Sequence, residues 1–248
     1  MALLTQTAVP TSVGRSISVA IATPDRGAEA PGAAVLVIHE ALGLNDDIRR
    51  IASRIADDGY IAVVPDFLGA GWKPLCIARF MQRVGRVGRG RPYRDLAAVQ
   101  RWLGRRPDVD SSRIGVAGFC LGGGFAILYA ARGGEPVRAL APFYAAVPKD
   151  EDVLDGLCPT VASYGGRDRM FGRQAARLEA ALERRNVPHD VKVYPEASHS
   201  FMSRHSPRLE AIERRVLNGA GYHEPSAEDA WRRMLAFFDL HLRAEGGT

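Results

Sequence analysis

The feature that most constrains this chain is a glycine-rich turn between two apolar segments. The turn, Gly118–Gly124 (GFCLGGG), follows the apolar run 114–117 and precedes the apolar run 125–130. That order predicts a strand, a sharp turn and a helix, the layout of a nucleophile elbow in which Cys120 takes the place usual for serine. A Cβ at position 118 or 122 would clash where the chain reverses, so glycine is required there. The motif alone equally suits a tight turn around a small buried cysteine, and the remaining sequence has to decide.

Composition places the chain among ordinary globular proteins. The 248 residues are 46% hydrophobic and 25% charged, so a sizeable core can form without disulfides or metals. Cys76, Cys120 and Cys158 are too few for a disulfide framework and predict a reducing, cytoplasmic setting. No charge precedes Arg15 and no long apolar block occurs. We therefore expect neither a signal peptide nor a membrane-spanning helix.

Positive charge is concentrated in one part of the chain. Between Lys73 and Arg106 there are ten basic residues and one acid, Asp95, although the net charge of the whole chain is only +5. An anion-binding face or a nucleic-acid contact is one interpretation. The favoured interpretation is a solvated insertion, irregular over about residues 70–92. The stretch 84–91 contains no aromatic residue, which weakens the case for nucleic acid.

Apolar patterns predict strands alternating with helices. An alternating segment at 16–23 predicts an edge strand, and continuous apolar runs predict buried strands at 35–38, 61–64, 114–117, 137–143, 160–164 and 191–194. Helical spacing predicts helices at 45–58, 93–105, 173–185 and from 226, besides the one after the elbow. The alternation predicts an α/β fold with a mostly parallel, doubly wound central sheet flanked by helices. With no internal repeat or linker, we expect residues 1–248 to form a single domain.

Chemically reactive side chains follow four of the predicted strands. Glu40, Cys120, Asp168 and His199 each come shortly after a strand, and the carboxyl ends of parallel strands meet at one edge of a sheet. The order nucleophile, acid, histidine is that of α/β-hydrolase triads. We therefore predict a catalytic triad of Cys120, His199 and Asp168.

Each member of this triad has a role that its chemistry suggests. The thiolate of Cys120 would attack a carbonyl carbon, and His199 would accept and return a proton. Asp168 would fix the tautomer of the imidazole. The backbone N–H groups of Leu121 and Ala41 are the predicted oxyanion hole. His39 has Gly43 rather than histidine four residues later, so no H-E-x-x-H zinc site is present and we expect no metal.

Five short segments together carry a family resemblance. They lie within the span 35–201 and are His39–Gly43, Pro65–Asp66, Gly118–Gly123, Gly165–Asp168 and His199–Phe201. On these segments the chain resembles the dienelactone hydrolase family of α/β-hydrolases. The resemblance implies a cysteine nucleophile with aspartate and histidine, and a glutamate beside the thiol that takes its proton when substrate displaces it. By position Glu40 would be that glutamate; the alternative is a carboxylate in a surface loop.

The resemblance also implies residues that bind a substrate carboxylate. Well-known members of the family carry an arginine a few residues after the catalytic histidine, where this chain has Arg204, offset by one residue. Arg204 and the nearby Phe201 are therefore predicted to bind substrate. A second arginine usually lies between the Pro-Asp strand end and the helix before the elbow. Arg79 and Arg83 are the candidates there.

These observations predict a cytoplasmic hydrolase that needs no cofactor. It would cleave an activated ester or an enol lactone, of the dienelactone or carboxymethylenebutenolide kind, through an acyl-thiol intermediate. Its partner would be a small, anionic substrate, without nucleic acid or membrane, and the chain would be a monomer or a small homo-oligomer. The first alternative is a general carboxylesterase or thioesterase. The second is a non-catalytic protein whose basic segment 73–106 holds an anion or nucleic acid, which salt-dependent DNA binding without esterase activity would favour.

Overall fold

The apolar runs form one central sheet. The computed structural model describes residues 2–11, 14–25, 31–69, 73–205 and 221–243. The strands in these ranges are β1 (Leu3–Thr11), β2 (Arg15–Thr23), β3 (Gly32–Ile38), β4 (Ile61–Pro65), β5 (Val109–Phe119), β6 (Ala139–Phe143), β7 (Thr160–Gly165) and β8 (His189–Tyr194). Their spatial order is β1-β2-β4-β3-β5-β6-β7-β8. Strand β2 is antiparallel to both neighbours, and the pairs from β4 to β8 are parallel. The predicted mostly parallel sheet is confirmed.

Helices cover both faces of this sheet. They are α1 (Asp46–Asp57), α2 (Lys73–Val84), α3 (Arg91–Leu103), α4 (Leu121–Arg132), α5 (Gln174–Arg184) and α6 (Glu224–Leu242). Apolar side chains of α1 and α6 share one core with the sheet, and those of α2 to α5 share the other. The flanking helices predicted from the sequence are thus confirmed. In the described ranges, no helix combines the length and apolar character that crossing a bilayer requires.

The predicted edge strand is not at the edge. Residues 16–23 belong to β2, which lies between β1 and β4. The edge strand is β1, which pairs with β2 along its whole length. Strand β1 is exposed on both faces except at Val9 and its end residue Thr11, so it lacks the alternation of apolar and polar residues from which a strand is recognised.

The segment predicted to be irregular is largely helical, so that prediction was wrong. Helix α2 occupies residues 73–84, and α3 begins at Arg91. Phe80 and Val84 are buried, and Cys76 and Ile77 are partly buried against the same core. These positions form one apolar face at helical spacing, which the surrounding arginines and glycines conceal. Residues 70–72 lie outside the described residues, and a single domain over 1–248 stays a prediction.

An aromatic cluster fixes α4 against the segment that follows β4. The ring of Phe125, four residues into α4, is edge-on to Phe67 at 5.5 Å, Phe80 at 5.3 Å and Tyr93 at 5.1 Å. Edge-to-face pairs at these distances are favourable beyond the apolar area that they bury. The cluster therefore ties the helix after the elbow to α2 and α3.

Removing the central ring should be costly. We expect Phe125→Ala to lower the free energy of unfolding by about 3–5 kcal/mol, because it leaves a cavity where an almost fully buried ring stood. Leu240→Ala, at a side chain that is 69% exposed, is the control and should change it by less than about 0.5 kcal/mol. Chemical denaturation measures both; a loss under about 1 kcal/mol for Phe125→Ala would show that the cluster does not anchor α4.

Candidate active site

Cys120 occupies a strained turn between β5 and α4. Its backbone angles are φ 52° and ψ −115°, and a positive φ is unfavourable for a residue with a Cβ. Its N–H donates to the carbonyl of Phe143 at 3.1 Å. A Cβ on Gly118 would lie 2.5 Å from the carbonyl oxygen of Gly122, and one on Gly122 would press against that of Ile38. The elbow expected from the glycine spacing is formed.

The three predicted triad residues meet in one hydrogen-bonded series. Nδ1 of His199 lies 2.8 Å from Oδ2 of Asp168, and its Nε2 lies 3.1 Å from the sulfur of Cys120. His199 and Asp168 are buried, and Cys120 is partly exposed. The structure thus brings together three side chains that are separated by 48 and 31 residues in the sequence.

Two aromatic rings contact the imidazole of His199, and its carboxylate partner is held by backbone N–H groups. The ring of His199 packs edge-on against Tyr144 at 5.1 Å and against Phe171 at 5.4 Å. Oδ1 of Asp168 accepts the N–H groups of Met170 at 2.9 Å and Phe171 at 3.1 Å. The second carboxylate oxygen is therefore left to accept from the imidazole, which fixes the direction of the ring.

The surroundings of His199 favour its charged form. Burial lowers the pKa of His199, but the hydrogen bonds to Asp168 and Cys120 outweigh burial and raise the pKa to about 10. At neutral pH the imidazole therefore carries both protons, and Nε2 donates to the sulfur.

Glu40 lies in a second buried network. Its Oε2 accepts from the hydroxyl of Ser203 at 3.1 Å, and its Oε1 lies 2.5 Å from Nε2 of His205. The hydroxyls of Ser203 and Tyr144 are 3.0 Å apart, so this network reaches the ring that packs on the triad histidine. Within the described residues, no hydrogen bond joins Glu40 to the Cys120 thiol. The surface-loop alternative is wrong, because Glu40 is 3% exposed.

Comparison with known proteins agrees with this geometry. Residues 17–242 match the model of the dienelactone hydrolase family. The chain belongs to the dienelactone hydrolase family. A Yersinia pestis protein with the provisional name carboxymethylenebutenolidase is 29% identical over 251 residues, covering 95% of this chain and 88% of that protein. A Salmonella typhimurium protein with the same provisional name is 30% identical over 219 residues, covering 82% and 76%.

Solved structures of similar proteins show the same fold. A Klebsiella pneumoniae protein, provisionally named a dienelactone hydrolase, has a TM-score of 0.78 and 27% identity and covers 96% of this chain and 98% of its own. The dienelactone hydrolase of Anabaena variabilis has a TM-score of 0.71 and 18% identity and covers 98% and 99%. The α/β-hydrolase fold predicted for this family member is confirmed.

The arginines predicted to bind a substrate carboxylate do not meet at the thiol of this dienelactone hydrolase family member. Arg79 and Arg83 line a pocket of about 460 Å³ that includes none of the triad residues. The guanidinium of Arg204 stacks on the ring of Tyr222 at 4.3 Å and donates to its hydroxyl at 2.7 Å. Phe201 is buried against Tyr144, with ring centroids 5.5 Å apart. Substrate binding by these four residues stays a prediction.

The groups predicted to form the oxyanion hole lie on adjoining segments. Leu121 is the first residue of α4, whose initial N–H groups have no acceptor within the helix. Ala41 is in the turn that follows β3. Close packing of Gly122 against the carbonyl of Ile38 brings these two segments together. The oxyanion hole itself stays a prediction.

His39 positions the loop that follows β4. Its Nδ1 lies 2.7 Å from the carbonyl oxygen of Glu40, and its Nε2 accepts the N–H of Phe67 at 3.1 Å. These bonds require a neutral imidazole with the proton on Nδ1. In the part of the chain that the structure describes, no cluster of three or more His, Cys, Asp or Glu could hold a metal ion.

Sequence reasoning missed three residues of this site, namely Tyr144, Ser203 and His205. Tyr144 directly follows a predicted strand, at the same edge as the triad, and adopts a positive φ of 39°. Its position at a strand end was the sequence feature from which its place in the site could have been predicted. Ser203 and His205 were recognisable only by closeness to His199 in the sequence, and their contact with Glu40 depends on folding.

Proposed function

We propose that this chain is a carboxylic-ester hydrolase that cleaves an activated ester or an enol lactone, of the carboxymethylenebutenolide kind, through an acyl-thiol intermediate. The continuous series from Asp168 through His199 to the sulfur of Cys120 carries this proposal. Activated esters have good leaving groups, which suits a thiolate because little basicity is needed to expel them. The names of the Yersinia and Salmonella relatives support the choice of lactone.

The reaction would proceed in two stages. The sulfur of Cys120 forms a bond to the carbonyl carbon, and the leaving oxygen departs with the proton from Nε2 of His199. Water then attacks the acyl-thiol, giving a proton to the neutral imidazole, and the C–S bond breaks to regenerate the thiolate. Asp168 accepts from Nδ1 throughout and stabilises the imidazolium. The N–H groups of Leu121 and Ala41 would stabilise the negative oxygen in both stages.

A second candidate is a general carboxylesterase or thioesterase on the same triad. The observation that favours it is the separation of the predicted arginines from the thiol. Arg79 and Arg83 line another pocket, and Arg204 is bound to Tyr222, so none of the three is held at the sulfur to select an anionic substrate. Turnover of a panel of anionic lactones, neutral esters and thioesters separates the two candidates.

Removing the nucleophile should abolish turnover. We expect Cys120→Ala to reduce kcat for an activated ester by at least about 1,000-fold, because no acyl-thiol can form. Cys76→Ala is the matched control, since Cys76 is another partly exposed thiol away from the triad, and it should keep its activity. Rates corrected for spontaneous hydrolysis measure the effect, and wild-type rates in Cys120→Ala would refute the mechanism.

Replacing the triad acid should change how the rate depends on pH. Burial lowers the pKa of His199, but its hydrogen bonds to Asp168 and Cys120 outweigh burial and raise it to about 10, so the proton that His199 gives to the leaving group is present below that pH and lost above it. In Asp168→Asn the pKa of His199 should fall, and the decline of kcat/KM should begin at lower pH. The rate at neutral pH should also fall, by roughly 100-fold or more. A pH–rate profile measures both; a decline that stays in place would show that Asp168 does not set this pKa.

The role proposed for Glu40 can be tested separately from the triad. If Glu40 takes the thiol proton, Glu40→Gln should lower kcat/KM by roughly 10–100-fold, although the triad is intact. Glu196→Gln removes a carboxylate whose side chain is 65% exposed, and this control should retain its activity. Unchanged kinetics in Glu40→Gln would show that Glu40 does not take the thiol proton and that His199 is the residue that transfers protons.

A further inference from the structure

The pocket lined by Arg79 and Arg83 lies at the carboxyl edge of the sheet, beside β4. It has a volume of about 460 Å³ and is formed by the start of β2, the segment after β4, α2 and the start of α3. In the order β4-β3-β5, two strand spacings, roughly 10 Å, separate the end of β4 from the end of β5. Cys120, Asp168, His199 and Glu40 do not line it.

The two acids that line this pocket already have partners. Oδ2 of Asp95 lies 3.0 Å from Nε of Arg91. Oδ1 of Asp66 accepts the N–H groups of Leu68 at 3.2 Å and Gly69 at 2.9 Å. Among the described residues, neither carboxylate therefore forms an ion pair with Arg15, Arg79 or Arg83.

Three arginines in the pocket lack such partners. Arg15 at the start of β2 and Arg79 and Arg83 on α2 form no ion pair and no side-chain hydrogen bond with any residue that the structure describes. Arg79 and Arg83 are four residues apart, so they lie on the same side of α2, where like charges repel each other. Both line the same pocket as Arg15. A bound anion would relieve this repulsion and accept from all three guanidinium groups.

The floor of the pocket is apolar. Phe67 and Phe80 line it, with ring centroids 5.5 Å apart. Both rings also contact Phe125, and these contacts place a layer of aromatic side chains between the pocket and α4. Ile17, Leu68 and Phe80 are almost fully buried, whereas Phe67 is partly exposed. A ligand with an aromatic or aliphatic body would therefore contact the ring of Phe67.

We propose that this pocket is a second binding site, separate from the thiol, for an organic anion whose phosphate or carboxylate groups bind Arg15, Arg79 and Arg83 while its apolar body packs on Phe67. Four arginines and two aspartates line the pocket, so its net formal charge matches a dianion. A phosphate monoester and a dicarboxylate share this chemistry.

Direct binding is the first test. Isothermal titration calorimetry of the Cys120→Ser variant should show one saturable site for phenyl phosphate or phenylsuccinate and none for benzyl alcohol. Arg79→Gln combined with Arg83→Gln should weaken binding at least about tenfold, because charge-assisted hydrogen bonds are lost. Arg86→Gln combined with Arg89→Gln removes the same charge from exposed positions outside the pocket and should change Kd less than twofold. If phenyl phosphate binds more tightly than phenylsuccinate, the site prefers a phosphate; the reverse order indicates a carboxylate site.

Cys76 provides a reporter inside the pocket. It lines the pocket and is partly exposed, whereas burial raises the pKa of the Cys158 thiol to about 12. In the Cys120→Ser variant at pH 8, iodoacetamide should therefore modify Cys76 before Cys158. Saturating phenyl phosphate should slow modification of Cys76 at least fivefold, as measured by peptide mass spectrometry. The Arg79→Gln, Arg83→Gln variant should lose this protection.

Several results would overturn the proposal. They are the absence of saturable binding, an equal loss of affinity in the Arg86→Gln, Arg89→Gln control, and unchanged modification of Cys76. Strictly competitive inhibition of ester hydrolysis, with an inhibition constant equal to Kd, would instead make the pocket part of the substrate site. Binding and protection are measured without the thiol of Cys120, so they stand even if the proposed esterase activity fails.

Discussion

The strained backbone at Cys120 is the constraint on which the rest of the site depends. A positive φ at a residue with a Cβ costs on the order of 1–3 kcal/mol and persists only where its surroundings enforce it. Strand β5 lies between β3 and β6, and both neighbours hold the turn. The carbonyl of Phe143 accepts the Cys120 N–H, and Gly122 packs against the carbonyl of Ile38. The position of the sulfur is therefore set by the centre of the sheet rather than by a surface loop.

The two buried carboxylates predicted to act with that sulfur have different surroundings. Asp168 accepts two backbone N–H groups on one oxygen and the imidazole of His199 on the other. These bonds fix the orientation of the carboxylate toward the imidazole. The partners of Glu40 among the described residues are side chains, the hydroxyl of Ser203 and the imidazole of His205. Side-chain partners can rotate, whereas backbone donors in a turn cannot. The fold thus builds a fixed carboxylate for the imidazole and a less constrained one nearby.

Features that are local in sequence were predictable, and features made by folding were not. Buried strands, the elbow and the residues after each strand end could be predicted because apolar runs and glycine spacing are local patterns. Strand β1 was missed because only Val9 and Thr11 of its nine residues are not exposed. Helix α2 was missed because an arginine directly precedes both Phe80 and Val84 in the sequence, which obscures the apolar face of the helix. The network of Tyr144, Ser203 and Glu40 depends on residues far apart in the chain, which no local pattern reveals.

The basic segment divides into arginines that are neutralised and arginines that are not. Arg91, Arg101 and Arg106 each form an ion pair with an aspartate or glutamate. A bias in composition would scatter the remaining charges over the surface, where solvent screens them at little cost. Instead Arg79 and Arg83 are on one side of α2 and line a concave, aromatic-floored pocket together with Arg15 from another strand. A concave surface concentrates the field of such charges. Arg15 and Arg79 are also exposed, so solvent screens part of this repulsion, and a bound anion would balance the rest; the shared pocket is therefore the basis on which we propose a binding site within a segment that is otherwise solvated.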